Sequence, residues 1–81
     1  MSEAENLTSF LEYVVKKLVE YPEEVKVEAK KQERNLVLRL KVSPQDRGRI
    51  IGKQGKMVKA LRRLVNAISQ TEQRVALEIL E

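Results

Sequence analysis

The fold of this chain is decided by the stretch Ile50-Ile51-Gly52-Lys53-Gln54-Gly55-Lys56, in which two glycines stand three positions apart. Gly52 and Gly55 permit a tight backbone path that residues with a Cβ resist. The surrounding pattern predicts a short helix before the loop and a longer amphipathic helix after it. Backbone N–H groups and the positive end of the helix dipole gather at such a helix N-terminus. The stretch therefore predicts a loop that holds an anion such as a phosphate.

Basic residues are concentrated around this loop. Residues 41–63 hold eight lysines and arginines against one aspartate, a net charge of +7, whereas residues 1–24 hold six glutamates against two lysines, a net charge of −4. Concentrated positive charge attracts polyanions and speeds encounter with them. The plain alternative is a solvated helix face, but the glycine loop at its head favours an anionic partner. Nucleic acid is the expected partner class.

Hydrophobic periodicity predicts six elements. Apolar residues recur every three to four positions in the helices and at every second position in the strands. In chain order the elements are a helix over residues 3–20, strands over 25–30 and 36–42, a short helix with Ser43 as N-cap and Pro44 in its first turn, a helix to about Gln70, and a strand over 75–80.

The order of these elements predicts the topology. The first two strands form an antiparallel hairpin, and the third lies parallel beside the second after a right-handed crossover. The fold class is therefore α+β, a three-stranded mixed sheet with three helices packed on one face. Val37, Ala76 and Leu80 are expected on the other, partly exposed face. These residues or the first helix are candidates for a self-association surface.

Composition narrows the function. A chain of 81 residues with 42% hydrophobic content forms one small core, so residues 1–81 are expected to be a single domain. The sequence holds no cysteine and no histidine, which removes thiolate metal sites and histidine acid–base chemistry. We expect no enzyme activity, no cofactor, no metal and no small-molecule substrate. The sequence shows neither a secretory signal nor a long apolar segment, so the cytoplasm is the expected location.

Other nucleotide- and nucleic-acid-binding classes fit less well. A nucleotide-hydrolysing P-loop needs four residues between its glycines, but Gly48 and Gly52 are separated by three, and no Ser or Thr follows Lys53. One Phe and two Tyr are too few for modules that stack bases on aromatic platforms. A helix-turn-helix DNA binder remains an alternative. Apolar Met57 and Val58 in the first turn of its recognition helix argue against it.

The whole chain resembles a K-homology (KH) domain of the second topological type, with the order αββααβ, and specifically the small bacterial single-domain family called KhpA. The resemblance rests on the element order and on three segments: the string Gly48-Arg49-Ile50-Ile51-Gly52-Lys53-Gln54-Gly55-Lys56 with its GxxG core, the lead-in Val42-Ser43-Pro44-Gln45-Asp46, and the ending Glu78-Ile79-Leu80-Glu81. It implies that the loop clamps the backbone of about four unpaired nucleotides while bases enter an adjacent apolar groove.

The resemblance also implies which residues bind single-stranded RNA. The groove is expected beside the second strand near residues 38–41, whereas Arg62 and Arg63 are expected to be general surface charge. For Ile51, a place in the hydrophobic core is as good an interpretation as a place in the groove. The expected RNA-binding residues are Arg49, Ile51, Gly52, Lys53, Gln54, Gly55, Lys56 and Lys59.

The same family implies partners and a cellular role. The resemblance implies that the protein forms a homodimer, or a heterodimer with a KhpB (Jag)-like RNA-binding protein. They are linked with RNA chaperone or post-transcriptional regulatory roles and with bacterial cell elongation and division. The alternative is a protein-interaction or dimerisation module in which RNA binding is secondary.

Overall fold

A computed structural model describes residues 3–69 and 74–80 of the chain. Two long helices, one five-residue helix and three strands make up this part, with single turns of 3-10 helix at Pro22–Glu24 and Lys53–Gly55. The elements are α1 (Glu3–Leu18), β1 (Lys26–Lys31), β2 (Asn35–Lys41), α2 (Arg47–Ile51), α3 (Lys56–Ile68) and β3 (Arg74–Ile79). The predicted end of α3 at Gln70 lies outside the described residues.

The three strands form one mixed sheet in the order β1-β2-β3. β1 pairs with β2 antiparallel, with Glu28 opposite Arg39. β3 pairs with β2 in parallel, with Arg39 opposite Glu78. The predicted α+β class, the mixed sheet and the central position of the second strand are confirmed. β3 therefore forms one edge of the sheet, which matters for the candidate site.

The core lies between the sheet and the two long helices. Because side chains alternate across a strand, Leu36, Leu38 and Leu40 of β2 all face this layer and are buried. The same cluster contains residues of both long helices, of α2 and of β3, so these elements pack on one face of the sheet. The members from those elements are Leu7, Leu11, Val15, Ile50, Val58, Leu61, Val65, Val75 and Leu77.

Helix α1 ends at Leu18, two residues before the predicted end at Glu20. The backbone N–H groups of Glu20 and Tyr21 donate to the two carboxylate oxygens of Asp46, each at 3.0 Å. Pro22 also disfavours helical geometry at the residue before it. The chain therefore leaves the helix early, because a side chain 25 or 26 positions away replaces its last intrahelical acceptors.

The prediction that Ser43 caps α2 is wrong. Residues 43–46 form a separate turn, in which the Asp46 N–H donates to the Ser43 carbonyl at 2.8 Å. The hydroxyl of Ser43 accepts the N–H of Gln45 at 3.3 Å. The helix begins at Arg47, with Asp46 in the N-cap position and its carboxylate turned toward α1 rather than toward the helix it precedes. Asp46 therefore joins two elements instead of capping one.

Val37 is less accessible than its place on the partly exposed face of the sheet suggests. The side chain lies on the sheet face away from the helices, as the alternation predicts, but its exposed fraction is only 9%. Its cross-strand neighbours are Lys30 on β1 and Ala76 on β3. A residue in the middle of a central strand is covered from both sides, so facing away from the helices does not make it accessible. Ala76 is exposed and Leu80 half-buried.

Candidate nucleic-acid interface

The loop between α2 and α3 has an unusual backbone. Gly52 (φ 76°), Gln54 (φ 57°) and Gly55 (φ 75°) all have positive φ, and Gln54 is the only non-glycine residue to do so in the described part of the chain. Left-handed conformations cost residues with a Cβ roughly 1–2 kcal/mol. Glycine at positions 52 and 55 therefore permits the reversal between the two helices, as the sequence predicts.

Gly52 is further restricted by its neighbours. A Cβ atom at this position would lie 2.7 Å from the Cβ and 2.8 Å from the backbone nitrogen of Met57, the second residue of α3. By contrast, a Cβ at Gly48 would meet nothing within 4 Å. Only a glycine at position 52 therefore lets the loop pass this close to α3.

The loop leaves two backbone donors free. Its internal hydrogen bonds run from the Gly52 N–H to the Gly48 carbonyl at 2.9 Å and from the Gly55 N–H to the Gly52 carbonyl at 3.1 Å. The N–H groups of Lys53 and Gln54 have no acceptor among residues 3–69 and 74–80. Successive N–H groups beside a left-handed residue form a concave site that suits an anion.

The side chains around these donors are cationic or neutral. Lys53 and Gln54 are both exposed, and so are Lys56 and Lys59 in the first turn of α3. The acid nearest in sequence, Asp46, is 1% exposed and occupied with the end of α1. The predicted residues of the loop and of the start of α3 thus form one basic surface that an anion can approach.

Arg49, three residues before Gly52, already has partners at the end of α1. One guanidinium nitrogen is 3.1 Å from a carboxylate oxygen of Glu20, and the other donates to the Leu18 carbonyl at 3.4 Å. Both charged side chains are about half exposed or more, where an ion pair contributes about 0–1 kcal/mol. Because so weak a pair is easily exchanged, Arg49 remains available to a phosphate.

The two isoleucines before the loop differ in how deeply they are buried. Ile50 is fully buried in the core, whereas Ile51 is half-buried. Ile50 is therefore a core residue, whereas Ile51 keeps some accessible apolar surface next to Gly52. This arrangement is compatible with the predicted contact between Ile51 and a base.

The second strand, beside which a groove is expected, offers little accessible surface at Leu38 and Leu40. Leu38 and Leu40 are completely buried, and Nε of Arg39 lies 3.2 Å from a carboxylate oxygen of Glu78 on the opposite face of the sheet. The physical reason is that β2 is the central strand, with both edges hydrogen-bonded to neighbours. An edge strand, by contrast, can border an open groove.

Such a groove lies between α3 and the edge strand β3. It has a volume of about 460 Å³ and is lined by Arg62, Arg63, Asn66, Arg74 and residues 75–77. Sequence analysis missed it, since Arg62 and Arg63 are expected there only as general surface charge. The signal is the helical spacing of Lys59, Arg62, Arg63 and Asn66, which places them along one flank of α3. This flank continues from the glycine loop.

Two α3 side chains bind the free edge of β3. The Asn66 amide donates to the Val75 carbonyl at 2.8 Å and accepts the Val75 N–H at 3.1 Å. The Arg62 guanidinium donates to the Leu77 carbonyl at 3.3 and 3.4 Å. Asn66 therefore takes the place that a neighbouring strand would have at Val75. These bonds hold the two walls of the groove at a defined separation.

The described residues offer neither a membrane-spanning helix nor an acidic metal site. No helix within residues 3–69 and 74–80 is both long and apolar enough to cross a membrane. Those residues also contain no group of three or more acidic side chains placed to hold a metal ion. The basic loop and the groove beside it remain the candidate site.

Comparison with known proteins identifies the family. Residues 8–79 match the sequence profile described as KhpA/KhpB, KH domain. The chain is 41% identical to the RNA-binding protein KhpA of Clostridium acetobutylicum over 75 residues, covering 91% of this chain and 100% of that protein. It is 44% identical to KhpA of Listeria monocytogenes serovar 1/2a over 69 residues (84% and 91%) and 40% identical to KhpA of Borreliella burgdorferi over 82 residues (100% of each).

None of the solved structures gives a significant match to the chain. The sequence relationships span nearly all of it and concern a family that is not enzymatic. The chain therefore belongs to the KhpA/KhpB family of KH-domain proteins.

Proposed function

We propose that this protein binds single-stranded RNA and that the Gly52–Gly55 loop holds the RNA backbone. The observation that carries the proposal is the pair of free N–H groups at Lys53 and Gln54, which lie in a left-handed turn beside exposed basic side chains. Relatives at 40–44% identity are named RNA-binding proteins. The loop supplies backbone donors and Lys53 supplies charge, and both interact with a phosphate regardless of base sequence.

The remaining predicted residues extend this contact on both sides of the loop. Lys56 and Lys59 contact phosphates along α3, and Arg49 exchanges Glu20 for a phosphate at the other side. Ile51 offers an apolar surface to a base. The bases then enter the groove between α3 and β3, whose arginines provide hydrogen bonds and flat guanidinium surfaces for stacking. In this arrangement the loop provides affinity and the groove provides selection.

The finer description of the fold belongs to the same proposal. Residues 1–81 form a single KH domain of the second type, with the order αββααβ and α2 as the short helix before the loop. The chain order of the described elements supports it, as does the single hydrophobic cluster that contains residues of every one of the helices and of the sheet.

RNA binding by one such domain is weak. Such a domain contacts about four nucleotides and neutralises two or three phosphates. For single strands, the logarithm of the binding constant then falls with the logarithm of the salt concentration with a slope of only about −1.4 to −2.1. A second subunit raises the avidity by presenting two grooves. Leu64 and Ile68, with 38% and 39% of their surfaces exposed, lie one turn apart on α3 and support association through this helix. The partner is a second copy or a KhpB (Jag)-like protein.

In the cell this activity corresponds to an RNA chaperone or post-transcriptional regulator that acts in the cytoplasm, with effects on cell elongation and division. The support is family membership together with the absence of a membrane-spanning helix from the described residues.

The decisive experiment is the double variant Lys53→Asp/Gln54→Asp, which places two negative charges where the phosphate binds. The chain offers a matched control, since a second Lys-Gln pair, Lys31-Gln32, occurs in the exposed β1–β2 hairpin. The double variant Lys31→Asp/Gln32→Asp makes the same change in charge far from the loop. Binding of fluorescein-labelled RNA octamers is measured by anisotropy, and the fold by circular dichroism.

We expect the loop variant to lose RNA binding with its fold intact, while the hairpin variant keeps most of its affinity. Equal affinity of the two variants would show that the loop does not hold RNA. A preference of the wild-type protein for duplex DNA over single-stranded RNA would favour the helix-turn-helix alternative instead.

A further inference from the structure

The groove between α3 and β3 has its hydrogen-bond acceptors occupied by the protein itself. The Val75 carbonyl accepts from Asn66 at 2.8 Å, and the Leu77 carbonyl accepts from Arg62 at 3.3 and 3.4 Å. The side-chain oxygen of Asn66 accepts the Val75 N–H at 3.1 Å. Each of these three oxygens therefore already accepts a hydrogen bond from the protein before a base enters the groove.

The Asn66 amide has no donor left either. Its nitrogen carries two hydrogens, and besides the Val75 carbonyl it donates to the Arg62 carbonyl at 2.9 Å. An Asn side chain can recognise adenine because it offers one donor and one acceptor together. Here both groups are used to join α3 to β3. Asn66 therefore shapes the groove and has no free donor to pair with an acceptor of a base.

The free hydrogen-bonding groups of the groove are guanidinium donors. Arginine has five N–H donors and no acceptor. Arg63 and Arg74 are exposed and bind no other side chain or carbonyl in the described part of the chain, while Arg62 uses only some of its hydrogens on Leu77. No Asp or Glu is among the described residues that line the groove. The groove is thus rich in donors and poor in free acceptors.

We propose that this groove selects guanine and uracil, which carry an exocyclic carbonyl oxygen on their edge, over adenine and cytosine, which carry an amino group there. Guanine presents O6 and N7, and uracil presents the same O4 acceptor as thymine. In place of these carbonyl oxygens adenine and cytosine carry amino donors, while N7 is an acceptor in adenine as in guanine. An amino donor that faces a guanidinium finds no acceptor there, so a hydrogen bond that it made to water is lost without replacement. The inference rests on the proposed RNA binding and adds the base preference of the same site.

The test compares two octamers that cannot pair with themselves by Watson–Crick pairing, UUGUUGUU and AACAACAA. Both are labelled with fluorescein and titrated with the wild-type protein at one fixed salt concentration. We expect the first to bind about fivefold more tightly or better, as one well-placed base contact provides. Equal binding, or tighter binding of AACAACAA, overturns the preference while leaving RNA binding intact. If neither octamer binds, the proposed function fails and the preference fails with it.

Variants then show whether the groove is responsible. Arg63→Gln/Arg74→Gln removes two charges and introduces two acceptors, so the affinity ratio should fall toward one. Lys30→Gln/Lys31→Gln removes the same charge on β1, outside the groove, and should leave the ratio unchanged. The loop variant Lys53→Asp/Gln54→Asp should weaken both octamers equally. If the arginine variant keeps the wild-type ratio of affinities for the two octamers, the groove is not the origin of the base preference.

Two further variants test the origin of the preference. Asn66→Ala frees the Val75 carbonyl to accept from a base, so AACAACAA should bind more tightly relative to UUGUUGUU, provided that circular dichroism shows an intact fold. Residues 70–73 precede β3 and lie outside the described residues. Glu72→Ala/Gln73→Ala should preserve the ratio, and a change in that variant would overturn the view that the arginines determine it.

Discussion

The carboxylate of Asp46 accepts the backbone N–H of Tyr21 at 3.0 Å, although 25 residues separate them in the chain. Its second oxygen accepts the N–H of Glu20 at the same distance. The side chain is 1% exposed, and α2 begins at the next residue. This contact therefore ties the end of α1 to the start of the segment that carries the glycine loop.

Replacing Asp46 should destabilise the fold. Asp46→Ala leaves two backbone N–H groups without an acceptor, which we expect to lower the free energy of unfolding by about 2–4 kcal/mol. Asp46→Asn keeps the shape and one acceptor oxygen, but it places an amide donor against the other N–H, so a smaller loss is expected. Urea denaturation followed by circular dichroism measures both. An unchanged midpoint in Asp46→Ala would mean that these N–H groups find water instead.

The two glycines at positions 48 and 52 should respond oppositely to alanine. At Gly52 the left-handed backbone and the Met57 contact at 2.7 Å both oppose a Cβ, so we expect Gly52→Ala to lose about 2 kcal/mol or more. Gly48 lies within α2 with nothing within 4 Å, so Gly48→Ala should gain about 0.5–1 kcal/mol. Thermal unfolding of the two variants shows whether each substitution stabilises or destabilises the fold. Similar losses in the two variants would contradict this account of the loop.

Arg49 should matter more for RNA than for stability. Its exposed pair with Glu20 contributes about 0–1 kcal/mol, so Arg49→Gln should change the free energy of unfolding by no more than that while lowering RNA affinity. Glu20→Gln breaks the same pair from the other side but keeps the Arg49 charge. RNA affinity in that variant should be unchanged or higher. If the two variants lost the same affinity, Arg49 would act through the ion pair rather than through RNA.

Self-association should depend on the exposed face of α3. Leu64→Asp places a charge beside Ile68, and a desolvated charge at an apolar contact is unfavourable, so we expect this variant to lose the proposed self-association. Ala76→Asp puts the same charge on the exposed face of the sheet and serves as the control. Analytical ultracentrifugation gives the mass of each variant. Dissociation in Ala76→Asp but not in Leu64→Asp would show that self-association uses the exposed face of the sheet instead of α3.

Much of the fold could be predicted because its determinants are local. Alternation at Leu36, Leu38 and Leu40 marked one face of a strand, and the glycines at 52 and 55 marked the tight turn, in which they and Gln54 have positive φ. The mixed sheet followed from the length of the connection between β2 and β3. The boundaries were less accurate at Glu20 and Ser43, because each depends on Asp46, whose contact with α1 has no signal in the local pattern.

The site shows the same division. The loop residues and the basic start of α3 are contiguous in sequence, so composition and spacing were enough to propose them. The groove was expected beside β2 and lies beside β3, since its walls come from segments that only the packing of α3 on the sheet edge brings together. The contribution of Asn66 and Arg74 could not be predicted from the sequence, because a single Asn or Arg has no distinguishing pattern.

The sequence by itself determined the order of the elements, the glycine turn and the family, because periodicity, the conformational freedom of glycine and motif spacing act over a few neighbouring residues. Only the tertiary structure decided that Asp46 secures the end of α1 and that Asn66 closes the edge of β3. Each of these contacts joins backbone groups to a side chain from another segment. Their formation depends on how the helices pack on the sheet, which no local pattern records.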